Sequence, residues 1–335
     1  MKKIISTLAI LLLIQTVLTL ILSSTGSDYT AFKTEEKLLE LNIKALDKIV
    51  ITDIKKASLI LAKKDGQWRM PAHGDFPVSK VQFSQLTGKL ENAKKSWPIA
   101  TTQSAAKRFK VDEDYFEKKL EFYQNGKIKK IMYLGSSPKF RKVTTRIKGD
   151  NNIYSIDFNA FEASIKEEDW FDKGYLTLNK DDMQQINING IELVKKDKEF
   201  KLNPAQTAQL NQAEVKKLLS QITSITFQTL LDTSKKTTFK FDWVFALQMK
   251  SGKVDYKIAK LDKTEDFVLK LSSQPYYFKI SKQTVENLKK FNKTTLIVQE
   301  VVKKTPIKST VNGDATTAPL LPQQNLIELI KKNQP

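Results

Sequence analysis

Apolar and polar positions alternate in short bursts along most of this chain, and turn residues join the bursts. A β-branched run from Ile49 to Ile54 is followed by "LILAKKDGQWRM", in which Asp65-Gly66 separates two alternating stretches. That arrangement predicts a β-hairpin. Behind Ser79 the pattern changes: Val81, Phe83, Leu86, Leu90 and Ala93 recur at helical spacing. The spacing predicts an amphipathic helix capped by Ser79. Alternation then returns in "KLEFYQNGKIKKIMYLG", a second hairpin turning on Asn125-Gly126, and in "TTRIKGDNNIYSID", a third turning between Gly149 and Asn152. A short helix in "FNAFEASIKEEDWF" closes this half of the chain.

The second half repeats the first. "LAKKDGQWRM" at 61–70 is answered by "LVKKDKEFKL" at 193–202, 132 positions later. Leu86 and Leu90 fall on Leu218 and Ile222 at the same offset, and the later matches (Phe109 on Phe239, Gly126 on Gly252, Ile156 on Ile280) fall at 130, 126 and 124. Small loop deletions produce such a drift. Trp68 and Phe200 occupy the same hairpin position and read as core anchors, beside the turn residues Asp65, Gly66 and Asp197. The hairpin lysines then face water on the wet side of the strand. The fold class expected is α+β: an N-terminal transmembrane helix followed by two tandem, duplicated α+β units with mainly antiparallel sheets. The boundaries are 1–25 for the anchor, 26–37 for a linker, 38–176 and 177–302 for the two units, and 303–335 for a flexible tail. "DKGYLTLNKDDMQQ" reads as the hinge between the units.

The anchor rests on an apolar run from Ile4 to Leu22 behind Lys2 and Lys3. At about 1.5 Å per residue it nearly crosses a ~30 Å hydrocarbon core. Basic residues before the run and none after it until Lys33 place the N-terminus in the cytoplasm and the bulk of the chain outside it. The expected location is the inner membrane, single-pass, touching the bilayer through residues 4–22; a cleaved signal is the competing reading. The tail is rich in Thr, Pro, Ser and Asn and ends in Leu326, Ile327, Leu329 and Ile330, a short apolar stripe able to dock on a partner or simply to fray.

Composition adds mostly exclusions. The net charge of +19 invites a nucleic-acid reading, but only Arg69, Arg108, Arg141 and Arg146 stand among 56 basic residues. Arginine supplies the bidentate fork that reads phosphates and bases, so no nucleic acid is expected. The absence of cysteine excludes disulfides and thiolate metal sites, and the single histidine, His73, sits in a turn-rich loop. Carboxylates cluster at Glu167, Glu168, Asp169, Asp172, Asp181 and Asp182, in stretches expected to be solvated loops and helix ends. No phosphate-cradling glycine motif and no nucleophile elbow occurs. The chain reads as a non-enzyme with no catalytic residue, cofactor or metal. Exposed aromatics such as Trp97 or Trp170 would favour an envelope module for glycan, peptidoglycan or lipid.

One resemblance sharpens this picture. The apolar N-terminal run, "LLELNIKALDKIVITD", "LILAKKDGQWRM", "PVSKVQFSQLTGKL", the stretch from "RFKVDEDYFEKKL" to "IMYLGSS", and "IYSID" before "DWFDKGYL" together resemble the bacterial domain-of-unknown-function family numbered 4340, over roughly residues 38–300. The resemblance implies a membrane-tethered, extracytoplasmic accessory or scaffold protein. Its expected partners are the permease and auxiliary subunits of an ABC transporter of the gliding-motility auxiliary type. It implies no catalytic residues.

Overall fold

Strands of two to nine residues with one wet face cannot stay isolated, and here they gather into two antiparallel sheets. The computed structural model describes residues 2–24, 36–203, 208–232, 238–262 and 264–298. Helix α1 spans Lys2–Ser24. The first unit runs β1 (Lys48–Asp53), β2 (Ser58–Lys64), β3 (Gln67–Met70), β4 (Phe76–Pro77), α2 (Lys80–Asn92), α3 (Gln103–Arg108), β5 (Lys118–Gln124), β6 (Lys127–Leu134), β7 (Lys142–Ile147) and β8 (Tyr154–Asp157). The second runs β9 (Met183–Ile188), β10 (Ile191–Lys196), β11 (Glu199–Leu202), α4 (Gln212–Thr223), β12 (Thr229–Leu230), β13 (Trp243–Met249), β14 (Gly252–Lys260), β15 (Phe267–Leu271), β16 (Tyr277–Ile280), α5 (Lys282–Lys289) and α6 (Lys293–Leu296).

Strand order is β4-β3-β2-β1-β5-β6-β7-β8 in one sheet and β11-β10-β9-β13-β14-β15-β16-β12 in the other. Seven consecutive positions of the two orders correspond, and so do finer details. Lys63 pairs with Trp68 as Lys195 pairs with Phe200. Ser79 caps α2 as Asn211 caps α4. The bridge between Val78 and Phe171 recurs between Leu210 and Ile297. Asp65 and Gly66 both take positive φ, as a two-residue primed turn demands, and Asp197 takes it at the matching turn.

Each principal helix lays one stripe on its sheet. Leu86 and Leu90 of α2, and Val215, Leu218 and Ile222 of α4, are buried against inward residues such as Ile49, Leu61, Ile186 and Leu193. Burying a leucine fully contributes about 1.5–3 kcal/mol. The first sheet also carries a smaller core on its other face, where Ala105 and Ala106 of α3 meet Val111, Phe116, Tyr133 and Ile153.

Two expectations need correction. The transmembrane helix does not stand: among the described residues no helix is long and apolar enough to cross a membrane. Helix α1 holds the apolar run, but Thr7, Gln15, Thr16 and Thr19 interrupt it, leaving Leu8–Ile14 as its longest unbroken apolar stretch. The hydroxyls of Thr16 and Thr19 turn back onto the carbonyls of Leu12, Leu13 and Gln15. The hinge also differs from its reading. Leu176 is buried, Tyr175 packs on Phe76, and Leu178 N–H donates to Thr223 O, so the connection is part of the core. Most of the linker read at 26–37, and the tail with Leu326, Ile327, Leu329 and Ile330, lie outside the described residues.

Candidate binding surface

The two sheets meet through aromatic rings drawn from both. Phe76 of β4 lies 5.7 Å from Phe227, 4.9 Å from Tyr276 and 6.2 Å from Phe278, while Phe171 reaches Phe227 at 6.2 Å. The three Phe76 contacts are edge-to-face, a geometry that contributes about 0.5–1.5 kcal/mol each beyond burial. Lys173 spans the same seam. Its ammonium donates to the carbonyls of Phe227 and Gln228 and sits 4.6 Å from the Phe227 ring centre. Burial pushes its pKa below the usual lysine value. One core therefore runs through both units.

The sequence-derived residues resolve into structural roles. Phe200 is buried, whereas Trp68 is half-buried and packs on Phe83 of α2 at 4.4 Å between ring centres. Lys63 donates to Lys44 O, and Lys195 to Asp181 O. The acidic run works in caps and seams: Asp172 accepts from Gly174 N–H, Asp169 from the Ser164 hydroxyl, and Glu168 from the Thr229 hydroxyl across the units. Asp182 pairs with Lys250. His73 stacks edge-on against Phe171, and its Nε2 lies 2.9 Å from Glu167 Oε2 without hydrogen-bond geometry. Among the described residues no group of three or more His, Asp or Glu converges as metal ligands would.

The feature that sequence reasoning missed is a groove of about 590 Å³ between α2 and the β8 edge of the first sheet. Small residues (Gly88, Ala93, Ser96, Ser155) line it together with Lys89, Lys94, Lys95, Lys142 and Asp157. Lys142 pairs with Asp157 at 2.8 Å, Lys95 with Glu36 at 2.8 Å and Glu40 at 3.5 Å, and Lys89 with Glu162 at 3.8 Å. The hydrogen bond that Lys95 donates to Glu36 is the main cause that raises the Lys95 pKa. The pairs whose carboxylates are exposed, Asp157, Glu36 and Glu40, are weak and exchangeable, whereas Glu162 is also held by Asn159. Three exposed aromatics lie in chain segments beside this lining. Trp97 follows Ser96 and is 66% exposed; Phe140, two residues before Lys142, is 86% exposed; Phe161, whose carbonyl accepts from Gln82 of α2, is 82% exposed. Trp170, the other aromatic offered for a ligand, is fully buried and donates to Ser164 O. Large apolar side chains left in water beside a groove mark a contact surface.

Residues 68–243, from β3 of the first sheet to the first residue of β13 in the second, match the family described as Domain of unknown function (DUF4340). The chain belongs to the DUF4340 family. The DUF4340 match takes in the groove, Phe76 and Phe171 on one side of the seam, and Phe227 on the other. No curated protein and no solved structure matches the chain.

Proposed function

We propose that this protein is a non-enzymatic scaffold that binds a partner protein within a membrane transport assembly. The observation that carries the reading is the lysine-lined groove, with exposed Trp97, Phe140 and Phe161 in the chain segments that flank its lining, held on a body whose two sheets share one core. A shared core keeps the surface in one shape, which lowers the ordering cost of docking. The family resemblance supports, as partners, the permease or auxiliary subunits of an ABC transporter of the gliding-motility auxiliary type, met at the extracytoplasmic face of the membrane. Mild chemical crosslinking followed by affinity purification in detergent tests this. Recovery of a transporter subunit supports the reading; recovery of the protein alone, at full yield, removes it.

A second reading draws on Trp97. An aromatic that is 66% exposed beside a polar groove also suits stacking on a sugar ring. Retention on peptidoglycan or glycan beads that disappears with Trp97→Ala supports this alternative over the first.

A further inference from the structure

The two sheets differ at one place where their repeat predicts identity. In the second sheet the outer edge of β16 is covered: Gln228 N–H donates to Lys279 O at 2.8 Å and Leu231 N–H to Tyr277 O at 2.9 Å, so β12 is an added strand. In the first sheet the equivalent edge belongs to β8. Ile99 N–H donates to Ile153 O and Ile153 N–H to Ala100 O, both at 2.8 Å, reproducing the Leu231–Tyr277 contact at offsets of 132 and 124. There the cover stops. Ser96 and Ser155, the counterparts of Gln228 and Lys279, make no such bond among the described residues. Pro98, which has no N–H, stands where Leu230 pairs with Phe278.

What remains is an open edge. In an antiparallel strand successive residues direct their backbone groups to opposite sides. The β7–β8 register pairs Lys142 with Asp157, Val143 with Ile156, Thr144 with Ser155 and Thr145 with Tyr154. Because Phe158 N–H donates inward to Arg141 O at 3.2 Å, it is Ile156 and Tyr154 whose backbone groups face β7. The N–H and C=O of Ser155 and Asp157 therefore point the other way, on the side that Ile153 uses for Ile99 and Ala100. Ser155, Asp157 and Ser96 all line the groove, beside Lys89, Lys94, Lys95 and Lys142. An exposed edge is a template for an incoming strand.

We propose that the groove accepts an extended, acidic segment of a partner protein, which pairs with β8 at Ser155 and Asp157 as an added strand. The proposal rests on the scaffold reading and names its docking site. Main-chain bonds to β8 hold the segment, as β12 holds β16, and the groove lysines exchange their exposed partners Asp157, Glu36 and Glu40 for carboxylates of the ligand. The groove lysines already stand against Asp157, Glu36, Glu40 and Glu162. The preference for acidic over basic strands therefore rests on Lys94, which forms no ion pair among the described residues, and on the net charge of +19.

The probe is a fluorescent, end-blocked peptide, Thr-Val-Glu-Val-Glu-Val-Glu-Thr, titrated onto the protein and read by anisotropy, with amide exchange followed across residues 153–157. Binding is expected together with slowed exchange in β8. Ser155→Pro is expected to weaken binding by about tenfold. It removes an outward N–H and leaves the β7 ladder intact, a position where edge strands tolerate proline. Should that variant unfold, the same peptide N-methylated at alternate residues serves instead and is expected not to bind. Equal binding by the N-methylated peptide, or by the peptide with Lys in place of Glu, overturns the proposal. So does no binding at ~1 mM peptide, or self-association of the protein through β8. Peptide failure alongside a crosslinked transporter subunit discards this site and keeps the scaffold reading; failure of both discards both.

Discussion

The Tyr276 hydroxyl donates to the carbonyl of Gly74 at 3.1 Å, joining positions 202 residues apart. Gly74 sits at φ +62, and the Tyr276 ring lies against the space a side chain at that position would enter. This bond and the rings around Phe76 make the two repeats one folding body.

Phe76→Ala is therefore expected to destabilise the whole described body, not one unit. Truncating a fully buried phenylalanine costs about 3–5 kcal/mol. Denaturant unfolding followed by tryptophan fluorescence and by far-UV circular dichroism checks this. The two probes should shift together by that amount for Phe76→Ala, and Tyr276→Phe should cost about 1 kcal/mol. Two separated transitions in the wild-type protein would show that the seam does not couple the units.

Gly135 and Gly66 should respond differently to alanine. A Cβ at Gly135 would stand 1.9 Å from Phe109 O and 2.8 Å from Thr144 Oγ1, so backbone has to move. At Gly66 the space is open and only φ +75 is unfavourable. Gly66→Ala should cost about 1 kcal/mol, whereas Gly135→Ala should abolish a cooperative melt or lower its midpoint severely. Thermal melts of the two variants side by side decide it.

Lys118 gives a pH dependence with a definite sign. Burial lowers its pKa in the folded protein, against the opposing pull of Asp53, Asp169 and Glu117. The unfolded chain keeps that proton up to about pH 10.4. Between the lowered folded value and that point the unfolded state binds more protons, so this lysine makes stability rise with pH. Below the folded value its burial cost is present in full. Lys95 and other surface lysines shift upward and act in the opposite sense. The difference between wild type and Lys118→Met isolates the effect: the rise toward about pH 10.4 should be present in the first and flattened in the second.

Location can be read with one introduced thiol, because the chain has no cysteine. Lys127 is exposed at the start of β6. A Lys127→Cys protein at the extracytoplasmic face should react with a membrane-impermeant maleimide in intact cells from which any outer barrier has been removed. Labelling only after lysis places the chain on the other side of the membrane.

Much of the fold was legible from local pattern. Asp65-Gly66 and Asn125-Gly126 mark their hairpins because positive φ is demanded there, and both pairs adopt it. Ser79 caps α2 as its position before a helical stripe implied. The repeat was legible as well, since Lys63–Trp68 and Lys195–Phe200 share a register. The seam was not. Phe76 sits between turn residues, and nothing near it in sequence shows that Phe227, Tyr276 and Phe278 will surround it. Trp170 looked available for a ligand for the same reason, although it is fully buried. Helix α3 carries little periodic signal in "QSAAKR" and is set by packing on Tyr133 and Ile153. The groove arises from a difference between the two copies. Pro98 opposite Leu230 is its single sequence trace, and it gains meaning only when the edge hydrogen bonds are compared.

Site-specific photo-crosslinking from position 97 tests the scaffold reading most directly. A benzoylphenylalanine placed at Trp97, which is exposed beside the groove, is irradiated in whole cells and its adducts are identified by mass spectrometry. The predicted result is a discrete adduct with a transporter permease or auxiliary subunit that disappears when Ser155 is changed to proline. A folded, normally abundant variant that yields no protein adduct from this position would contradict it.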